Sequence, residues 1–298
     1  MRPDSFPTTG PTGGASLCDD AAPKPILIVL HQRHSVPGHI GRTLGAQGHA
    51  LDIRRPRFGD PLPETMDEHD GAVIFGGPMS ANDTDDFVQQ ETDWISVPLE
   101  ERAPFFGVCL GGQMLARHLG AEVWLHDEGH VEIGYHAIDP VREAFGEGAW
   151  PTRFYQWHKE GFDLPDGAHV LARSPGNAFP NQAFLYGDAA VGIQFHPEIS
   201  YAMASRWSGH NAWKLEQVGA QARAPQLREH VANIAIVQNW LDRFLRRWVD
   251  MGRKARGRPP VDRDRADALA NAATRRHAWM RDPFENGPLV CKSETVLR

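Results

Sequence analysis

The 298-residue chain has few cysteines and no long apolar run. Its three cysteines, Cys18, Cys109 and Cys291, are too few and too scattered for a disulfide framework, and a reducing cytoplasm is the simplest location for such a protein. No apolar run approaches the roughly 20 residues that a membrane-spanning helix needs. Residues 1–24 are rich in Pro, Gly, Ser and Thr and lack the apolar segment of a secretory signal, so we expect a disordered leader.

An excess of positive charge is also lacking. The formal net charge is −7, which gives no overall reason to expect nucleic acid or a membrane surface as a partner. Basic residues do cluster between Arg243 and Arg258, which fits either a polyanion-binding arm or, more commonly, a solvated helix end that runs into a flexible tail. We therefore expect a folded domain over 25–250 and a basic, polar C-terminal extension over 251–298 that is dispensable for activity.

Short apolar runs alternate with amphipathic stretches in the first half of the chain. The run Ile26–Leu30 is continuous and apolar, as expected of a strand buried on both faces of a parallel sheet. The same alternation predicts strands at 50–53, 72–75 and 104–108 and helices at 37–47, 86–99 and 110–119. Strands and helices that alternate at this spacing predict an α/β fold with a doubly wound parallel sheet.

The middle of the chain is richer in predicted strands. The Asp-Glu-Gly sequence at 127–129 is typical of a hairpin turn, here between strands at 122–125 and 131–138. Further strands are predicted at 168–172, 183–186 and 191–195. Apolar residues at helical spacing over 227–248 predict an amphipathic helix that closes the domain.

Residues 104–113 read Pro-Phe-Phe-Gly-Val-Cys-Leu-Gly-Gly-Gln, which places Cys109 where a predicted strand passes into a helix, with a glycine two residues away on either side. This is the cysteine version of a nucleophile elbow, whose tight turn excludes side chains at the glycine positions. The following helix N-terminus directs free N–H groups at the sulfur and favours the thiolate. Gln113, four residues on, shares a helical face with Cys109 and can reach over the site. The alternative is an inert buried cysteine at a strand end.

A second motif, His-Pro-Glu, ends the predicted strand at 191–195. In an extended chain, residues two apart face the same side, so His196 and Glu198 are expected to project together. A carboxylate beside an imidazole holds its tautomer and stabilises the imidazolium, as in a catalytic triad. The alternative is a surface pair without a role, which the presence of the cysteine elbow disfavours.

A third motif, Gly-Gly-Pro, directly follows the predicted strand at 72–75. The glycine pair lets a backbone N–H approach a substrate oxygen closely, and the N–H of Leu110 would complete an oxyanion hole. Gly-Gly-Pro is also an ordinary turn sequence, so this motif indicates an oxyanion hole only in combination with the other two.

Together, Gly-Val-Cys-Leu-Gly-Gly-Gln, the upstream Gly-Gly-Pro and the downstream His-Pro-Glu resemble the class I glutamine amidotransferases, in particular stand-alone relatives of the glutaminase domain of GMP synthase. The resemblance spans about Pro25 to Leu245. It implies a flavodoxin-like α/β fold, with a mostly parallel sheet, helices on both faces and the cysteine at a strand–helix elbow. It also implies a triad and oxyanion donors at these positions: Cys109, His196 and Glu198 for the triad, Gly77 and Leu110 for the donors.

The resemblance further implies that Gln113 holds the glutamine substrate and that Gln156, Trp157 and His158 line its pocket. We expect no cofactor and no metal. The chain departs from the synthases because it has neither the length for an ATP-using domain nor a Gly-x-x-x-x-Gly-Lys-Ser/Thr loop. Either a separate synthase subunit accepts the ammonia, or water completes the reaction and the enzyme acts alone. Residues 200–226 and 251–298 are not explained by the resemblance.

Three functions stay open at this point. The first is an amidotransferase subunit that opens the γ-amide of glutamine through a γ-glutamyl thioester and gives glutamate and ammonia. The second is a γ-glutamyl peptide or amine hydrolase that needs no ammonia acceptor. The third is a non-catalytic binding protein with the same fold, which an intact triad disfavours.

Four other histidines are candidate site residues. His126 and His130 flank a turn with two acidic residues, which is compatible with a metal site, but no further ligand at suitable spacing supports one and a polar hairpin tip is favoured. His31 and His34 follow the first strand, at the edge where α/β sheets bind ligands. A plain loop is the favoured interpretation there.

Overall fold

The protein is described by a computed structural model that covers residues 22–141, 149–176 and 178–276. The described residues leave out most of the predicted leader and the chain beyond 276, and with them Cys18 and Cys291.

The structure contains twelve strands and seven α-helices within the described residues. The strands are β1 Ile26–Val29, β2 Leu51–Arg54, β3 Gly71–Ile74, β4 Phe105–Val108, β5 Val123–Leu125, β6 Glu132–Ala137, β7 Asp139–Pro140, β8 Arg153–His158, β9 Glu160–Phe162, β10 His169–Arg173, β11 Asn181–Tyr186 and β12 Ala190–Ile193. The α-helices are α1 Gly38–Ala46, α2 Asp86–Trp94, α3 Ser96–Glu100, α4 Leu110–His118, α5 Tyr201–His210, α6 Arg223–Ala255 and α7 Arg263–Arg276, with 3₁₀ turns at Pro56–Phe58 and Ala212–Glu216.

One large sheet organises the fold. Its strand order is β2-β1-β3-β4-β12-β11-β10-β7, and the pairs from β2 to β12 are parallel while those from β12 to β7 are antiparallel. Two smaller two-stranded sheets pair β5 with β9 and β6 with β8. The predicted α/β fold with a mostly parallel central sheet is thereby confirmed.

Each face of the sheet buries its own apolar layer, because successive strand residues point to opposite sides. On one face, Ile26 and Ile28 of β1 join α1 and the apolar side of α6. On the other, Leu27 and Val29 join α2 and α4. Helices therefore cover both faces, and the sheet's parallel strands are buried, as the continuous apolar run of β1 predicts.

The predicted hairpin around 127–129 is wrong. A turn does form there, closed by the Gly129 N–H to the carbonyl of His126 at 2.8 Å. The strands on either side, however, pair with different partners, β5 with β9 and β6 with β8. Turn chemistry is local, whereas the choice of pairing partner depends on distant segments that the turn does not specify.

The predicted helix over 86–99 is broken into α2 and α3 at Ile95. Pro98 lies inside α3 and has no N–H to donate to the carbonyl of Trp94, and its ring crowds that carbonyl. The break therefore has a covalent cause at one residue.

The predicted domain boundary at Asp250 cuts through α6, which continues to Ala255. Arg253, one turn beyond that boundary, is 1% exposed and its Nη1 lies 2.7 and 2.8 Å from the two carboxylate oxygens of Asp70. The backbone N–H of Lys24 donates to the same carboxylate at 2.8 Å. Residues 251–255 are thus part of the folded domain, and the last residues of the predicted leader contact it.

The basic cluster near the end of α6 is partly neutralised within the chain, while Arg243, Arg247 and Lys254 are exposed. Besides Arg253, Arg256 pairs with Asp67 and Glu101, and Arg258 pairs with Asp67. The paired arginines match neither the polyanion-binding arm nor the solvated helix end, whereas the exposed ones are solvated as the second alternative predicts. None of the helices in the described ranges has the length and apolarity needed to cross a membrane.

Replacing Arg253 with Leu should destabilise the fold strongly, because it leaves the Asp70 carboxylate buried without its main cation. Loss of one member of such a pair costs about 3–5 kcal/mol. Urea denaturation measures the loss in the free energy of unfolding. Arg246→Leu is the matched control, since its contact with Asp242 at 3.2 Å is on the surface of the same helix and is worth less than about 1 kcal/mol. Equal losses in the two variants would contradict the anchoring role of Arg253.

Candidate active site

Cys109 lies in the turn between β4 and α4, with φ 51° and ψ −104°. A positive φ is uncommon for a residue with a side chain and marks strain that the surrounding structure must maintain. Two hydrogen bonds hold the turn: the Cys109 N–H donates to the carbonyl of Ile193 at 2.8 Å, and its carbonyl accepts from the N–H of Gln113 at 2.9 Å. The residue is 6% exposed. The cysteine therefore occupies the strained strand–helix turn that the motif predicts.

The glycines on either side of Cys109 are required by close backbone approach. A Cβ on Gly107 would lie 2.3 Å from the carbonyl oxygen of Gly111, and one on Gly111 would lie 2.1 Å from the carbonyl oxygen of Ile74. Real Cβ atoms do not come so close to backbone atoms. The spacing of glycines in the motif thus reflects how tightly the turn packs against itself and against β3.

His196 and Glu198 lie beyond the end of β12, the strand that runs parallel to β4. Their Nδ1 and Oε1 atoms are 2.7 Å apart, and both residues are 3% exposed. The strand ends at Ile193, two residues earlier than predicted, and the pair lies in a bend rather than in extended chain. The N–H of His196 donates to the carbonyl of Tyr155 at 2.8 Å, so β8, which belongs to the separate β6–β8 sheet, holds the bend in place.

The electrostatic surroundings of His196 favour its protonated form. Burial alone lowers the pKa of His196, but the charges of Glu198 and Cys109 more than offset this and raise the pKa to about 10. Nε2 of His196 has no nitrogen or oxygen partner among the described residues, and it interacts with the Cys109 sulfur. The imidazolium can therefore offer the Nε2 proton to a group bound next to the sulfur.

Gly76 and Gly77 follow β3 and contact both other motifs. A Cβ on Gly76 would lie 2.9 Å from Cε1 of His196 and 3.4 Å from Cβ of Cys109. A Cβ on Gly77 would lie 3.0 Å from the Leu110 side chain. The structure thus brings the Gly-Gly-Pro segment, the cysteine turn and the His-Pro-Glu bend together at one edge of the sheet.

Gln113 is oriented by its neighbours, and it in turn orients a residue that the sequence analysis missed. Its Nε2 donates to the carbonyl of Glu160 at 2.9 Å and to Oε1 of Gln194 at 3.2 Å. Because Oε1 of Gln194 is then the acceptor, its Nε2 must be the group directed at the Cys109 sulfur, 3.7 Å away. The indication in the sequence was a polar residue, glutamine, inside the apolar run over 191–195. In the structure this glutamine is fully buried.

Gln156 and His158 point into a buried polar cluster rather than into an open pocket. Gln156 donates to Gln182 at 2.6 Å, and Gln182 and His158 both contact the same carboxylate oxygen of Glu132, at 2.9 and 3.0 Å. Burial opposes ionisation of Glu132, but the hydrogen bond from His158 holds its pKa below the usual range. Nothing in the local sequence around Glu132 indicated this role.

Trp157, on the opposite side of β8, is part of an aromatic group that reaches His196. Its ring centroid lies 5.8 Å from that of Trp207, whose ring meets the His196 ring edge-on at 5.2 Å. Trp207 belongs to α5, within the segment 200–226 that the sequence left unexplained. That segment therefore places an indole beside the histidine of the site.

His31 and His34 differ in environment. His34 is exposed, as expected of a loop residue. His31 is buried, with Nε2 2.7 Å from Oε2 of Glu91 and Nδ1 3.2 Å from the carbonyl oxygen of Gly76. The plain-loop interpretation is therefore wrong for His31, which contacts the Gly-Gly-Pro segment.

A group with metal-binding donors lies on the turn after β5. The ligand atoms of His126, Glu128 and His130 all lie within 4.8 Å of one another. Nδ1 of His126, however, already accepts from the backbone N–H of Glu128 at 3.1 Å and lies 3.2 Å from Nδ1 of His130. These hydrogen bonds account for the proximity of the two rings without an ion.

Comparison with known proteins adds to this geometry. The family profile described as glutamine amidotransferase class-I matches residues 32–205. The glutamine amidotransferase-like protein YfeJ of Salmonella typhimurium is 28% identical over 228 residues, which cover 72% of this chain and 90% of YfeJ. A solved structure of a glutamine amido transferase from Methylobacillus flagellatus superimposes with a TM-score of 0.71 at 29% identity and covers 77% of this chain and 95% of its own.

Relatives of two other kinds match this chain over shorter stretches. GMP synthase of Thermomicrobium roseum is 34% identical over 134 residues, which cover 44% of this chain and only 24% of the synthase. Gamma-glutamyl peptidase 5 of Arabidopsis thaliana is 28% identical over 167 residues, which cover 53% of this chain and 65% of the peptidase.

Glu198→Gln should lower the pKa of His196 from its value of about 10. The carboxylate stabilises the imidazolium and so raises the pKa. Without its charge, burial lowers the pKa because it favours the neutral ring. NMR titration of the His196 imidazole measures the shift. Glu128→Gln, which removes a carboxylate next to His130, is the control and should leave the His196 titration unchanged. An unchanged His196 titration in Glu198→Gln would show that the pair is not electrostatically coupled.

Proposed function

Because the chain belongs to the class-I glutamine amidotransferase family, we propose that it hydrolyses the γ-amide of glutamine to glutamate and ammonia. Cys109 is the nucleophile, His196 transfers the protons and Glu198 orients His196. One observation carries the proposal: Cys109 and His196 follow the ends of adjacent parallel strands and meet across Gly76, with Glu198 2.7 Å behind the imidazole. A buried thiolate–imidazolium pair supplies both the nucleophile and the acid that the reaction requires.

The reaction begins with attack of the Cys109 sulfur on the γ-carbonyl carbon. The carbonyl oxygen becomes an oxyanion, stabilised by the backbone N–H groups of Gly77 and Leu110. Leu110 is the first residue of α4, so its N–H has no partner within the helix and is available. Nε2 of His196 protonates the amide nitrogen, the C–N bond breaks, and ammonia leaves a γ-glutamyl thioester on Cys109.

The second half of the reaction uses the same groups in reverse. His196, now neutral, removes a proton from a water molecule that attacks the thioester carbon. The carbon–sulfur bond breaks, glutamate is released, and the sulfur and imidazole regain their charges. Gln194, whose Nε2 lies 3.7 Å from the sulfur, stabilises the thiolate at the start and end of the cycle.

We assign the remaining substrate contacts from the orientation of each side chain. Gln113 uses both N–H groups within the protein, so it binds glutamine through Oε1, which has no partner among the described residues and suits the α-ammonium group. Trp157 lines the pocket together with Trp207. Gln156 and His158 support the pocket from behind through Glu132, rather than by direct contact.

A γ-glutamyl peptide or amine hydrolase is the second candidate, and one observation bears on it. The leaving group must sit beside Nε2 of His196, next to the Trp207 ring. An indole there narrows the space for a bulky leaving group, and Cys109 and His196 are themselves almost inaccessible. Both features favour ammonia, the smallest leaving group, over a peptide.

The similarity to GMP synthase supports a separate synthase subunit as ammonia acceptor, since the matched region is only 24% of that enzyme's length. A cytoplasmic location also remains part of the proposal, and it rests on the scattered cysteines of the sequence.

Cys109→Ala should abolish ammonia release from glutamine and leave the fold intact, because no other group can form the thioester. A diazoketone analogue of glutamine should label one cysteine, within the peptide from Gly107 to Gln113, as mass spectrometry would show. Cys18→Ala and Cys291→Ala are the controls and should retain full activity. Turnover by Cys109→Ala, or label on Cys291, would refute the assignment, and a wild-type protein without label or turnover would favour a binding protein.

Trp207→Ala should raise the rate with a bulky γ-glutamyl amine relative to the rate with glutamine, because it enlarges the leaving-group side of the pocket. A single pocket contact changes such a ratio by about tenfold or more. The ratio of kcat/KM values for the two substrates is the measurement. Trp213→Ala, at a Trp that is 63% exposed in the neighbouring 3₁₀ turn, is the control and should leave the ratio unchanged. An unchanged ratio in Trp207→Ala would place the leaving group elsewhere.

A further inference from the structure

The buried pair of His31 and Glu91 has no direct part in the proposed reaction. His31 follows β1, Glu91 lies on α2, and both side chains are fully shielded from solvent. We propose that these two residues are positioning residues that hold the Gly76–Gly77 peptide in the orientation that presents the Gly77 N–H to the oxyanion. This inference rests on the proposed function, since it concerns the oxyanion hole of that reaction.

The protons of the pair follow from its partners. Nδ1 of His31 lies 3.2 Å from the carbonyl oxygen of Gly76, which can only accept, so Nδ1 must carry a proton. Nε2 lies 2.7 Å from Oε2 of Glu91, a distance at which one proton is shared between them. Whichever atom holds that second proton, the pair carries no net charge. A neutral pair can remain buried without a further counter-charge.

The contact with Gly76 determines where the next N–H points. The carbonyl of Gly76 and the N–H of Gly77 belong to one planar trans peptide unit, in which the two groups point in opposite directions. Because His31 holds the carbonyl on its own side, the N–H of Gly77 points away from His31. Gly76 meanwhile contacts Cys109 and His196. The peptide therefore stands between the His31–Glu91 pair and the triad.

This peptide needs such a clamp because both of its residues are glycines. A peptide between two glycines can rotate by half a turn at little steric cost, since glycine tolerates both signs of φ. Side chains at these positions cannot supply the restraint, because a Cβ on Gly76 would lie 2.9 Å from Cε1 of His196. A hydrogen bond to the carbonyl holds it directly, and His31 donates that bond.

The test compares two double variants that differ in one donor. His31→Leu with Glu91→Leu removes the pair and leaves no unpaired buried charge, so the protein should fold. His31→Asn with Glu91→Leu places an amide N–H near the position of Nδ1 and should recover most of the rate. The first variant should lower kcat for glutamine by about 10²-fold with little change in KM, the size of effect seen when one oxyanion donor is lost.

Alkylation of Cys109 by iodoacetamide separates positioning from general damage. That displacement develops no oxyanion, so its rate should be the same in the wild type and both double variants. His69→Leu is the matched control, because His69 is also buried and pairs with a carboxylate, Asp52 at 3.0 Å, but precedes β3 at the opposite end of the sheet. It should leave kcat unchanged. An equal loss of kcat and alkylation in the Leu/Leu variant, or no recovery with Asn, would overturn the proposal.

A crystal structure of the Leu/Leu variant gives a readout that does not depend on activity. The carbonyl of Gly76 should be rotated away from its wild-type direction, or present in two orientations. A single, unchanged orientation would overturn the clamp even if the enzyme is active. If instead the wild type proves inactive on γ-glutamyl substrates while the variant peptide rotates, the proposed function fails and the clamp stands.

Discussion

The parallel pairing of β4 with β12 is the constraint on which the candidate site depends. It places Val108 beside Ile193, and the bond from the Cys109 N–H to the Ile193 carbonyl continues the ladder past the end of β4. The carboxyl ends of parallel strands meet at one edge of a sheet, so the cysteine and the histidine become neighbours although they are far apart in the chain. The strained turn at Cys109 persists because this pairing and the start of α4 hold it from both sides.

Burial makes the polar groups around the sulfur effective and also demands that they be paired. In a low-dielectric interior, an unpaired polar group is costly and a well-placed one acts strongly. The site answers this with two histidine–glutamate pairs, His196 with Glu198 and His31 with Glu91, on either side of the Gly-Gly segment. Gln194 adds an amide donor at the sulfur. Polar groups thus surround the Cys109 sulfur although the residue is almost out of contact with solvent.

The parts of the chain outside the three motifs complete the structure around them. The end of α6 is tied to the sheet by the buried contact of Arg253 with Asp70, and Trp248 of the same helix donates to backbone carbonyls at the start of β4 and β12. The segment 200–226 contributes Trp207, which contacts His196. The same helix, α6, therefore supports the two strands that carry the site, while α5 shapes the space in front of it.

Local sequence was sufficient for whatever depends on neighbouring residues. Apolar runs indicated the strands of the parallel sheet, and Gly-x-Cys-x-Gly indicated a turn that tolerates no side chains at its flanks. His-Pro-Glu indicated an imidazole beside a carboxylate, although that pair lies in a bend rather than in a strand. Each of these features is specified by residues within a few positions of one another. The sequence of this chain is therefore sufficient to predict them.

The tertiary structure alone decided the features that join distant segments. The partners of β5 and β6, the burial of Arg253, and the contacts of His31, Gln194 and Trp207 are of this kind. A histidine after a strand or an arginine near a helix end is compatible with both a solvent-exposed and a buried position. Which one it takes depends on whether a partner from another element reaches it, as Glu91 reaches His31 and Asp70 reaches Arg253. Such pairing is a property of the packed chain, and no short stretch of sequence specifies it.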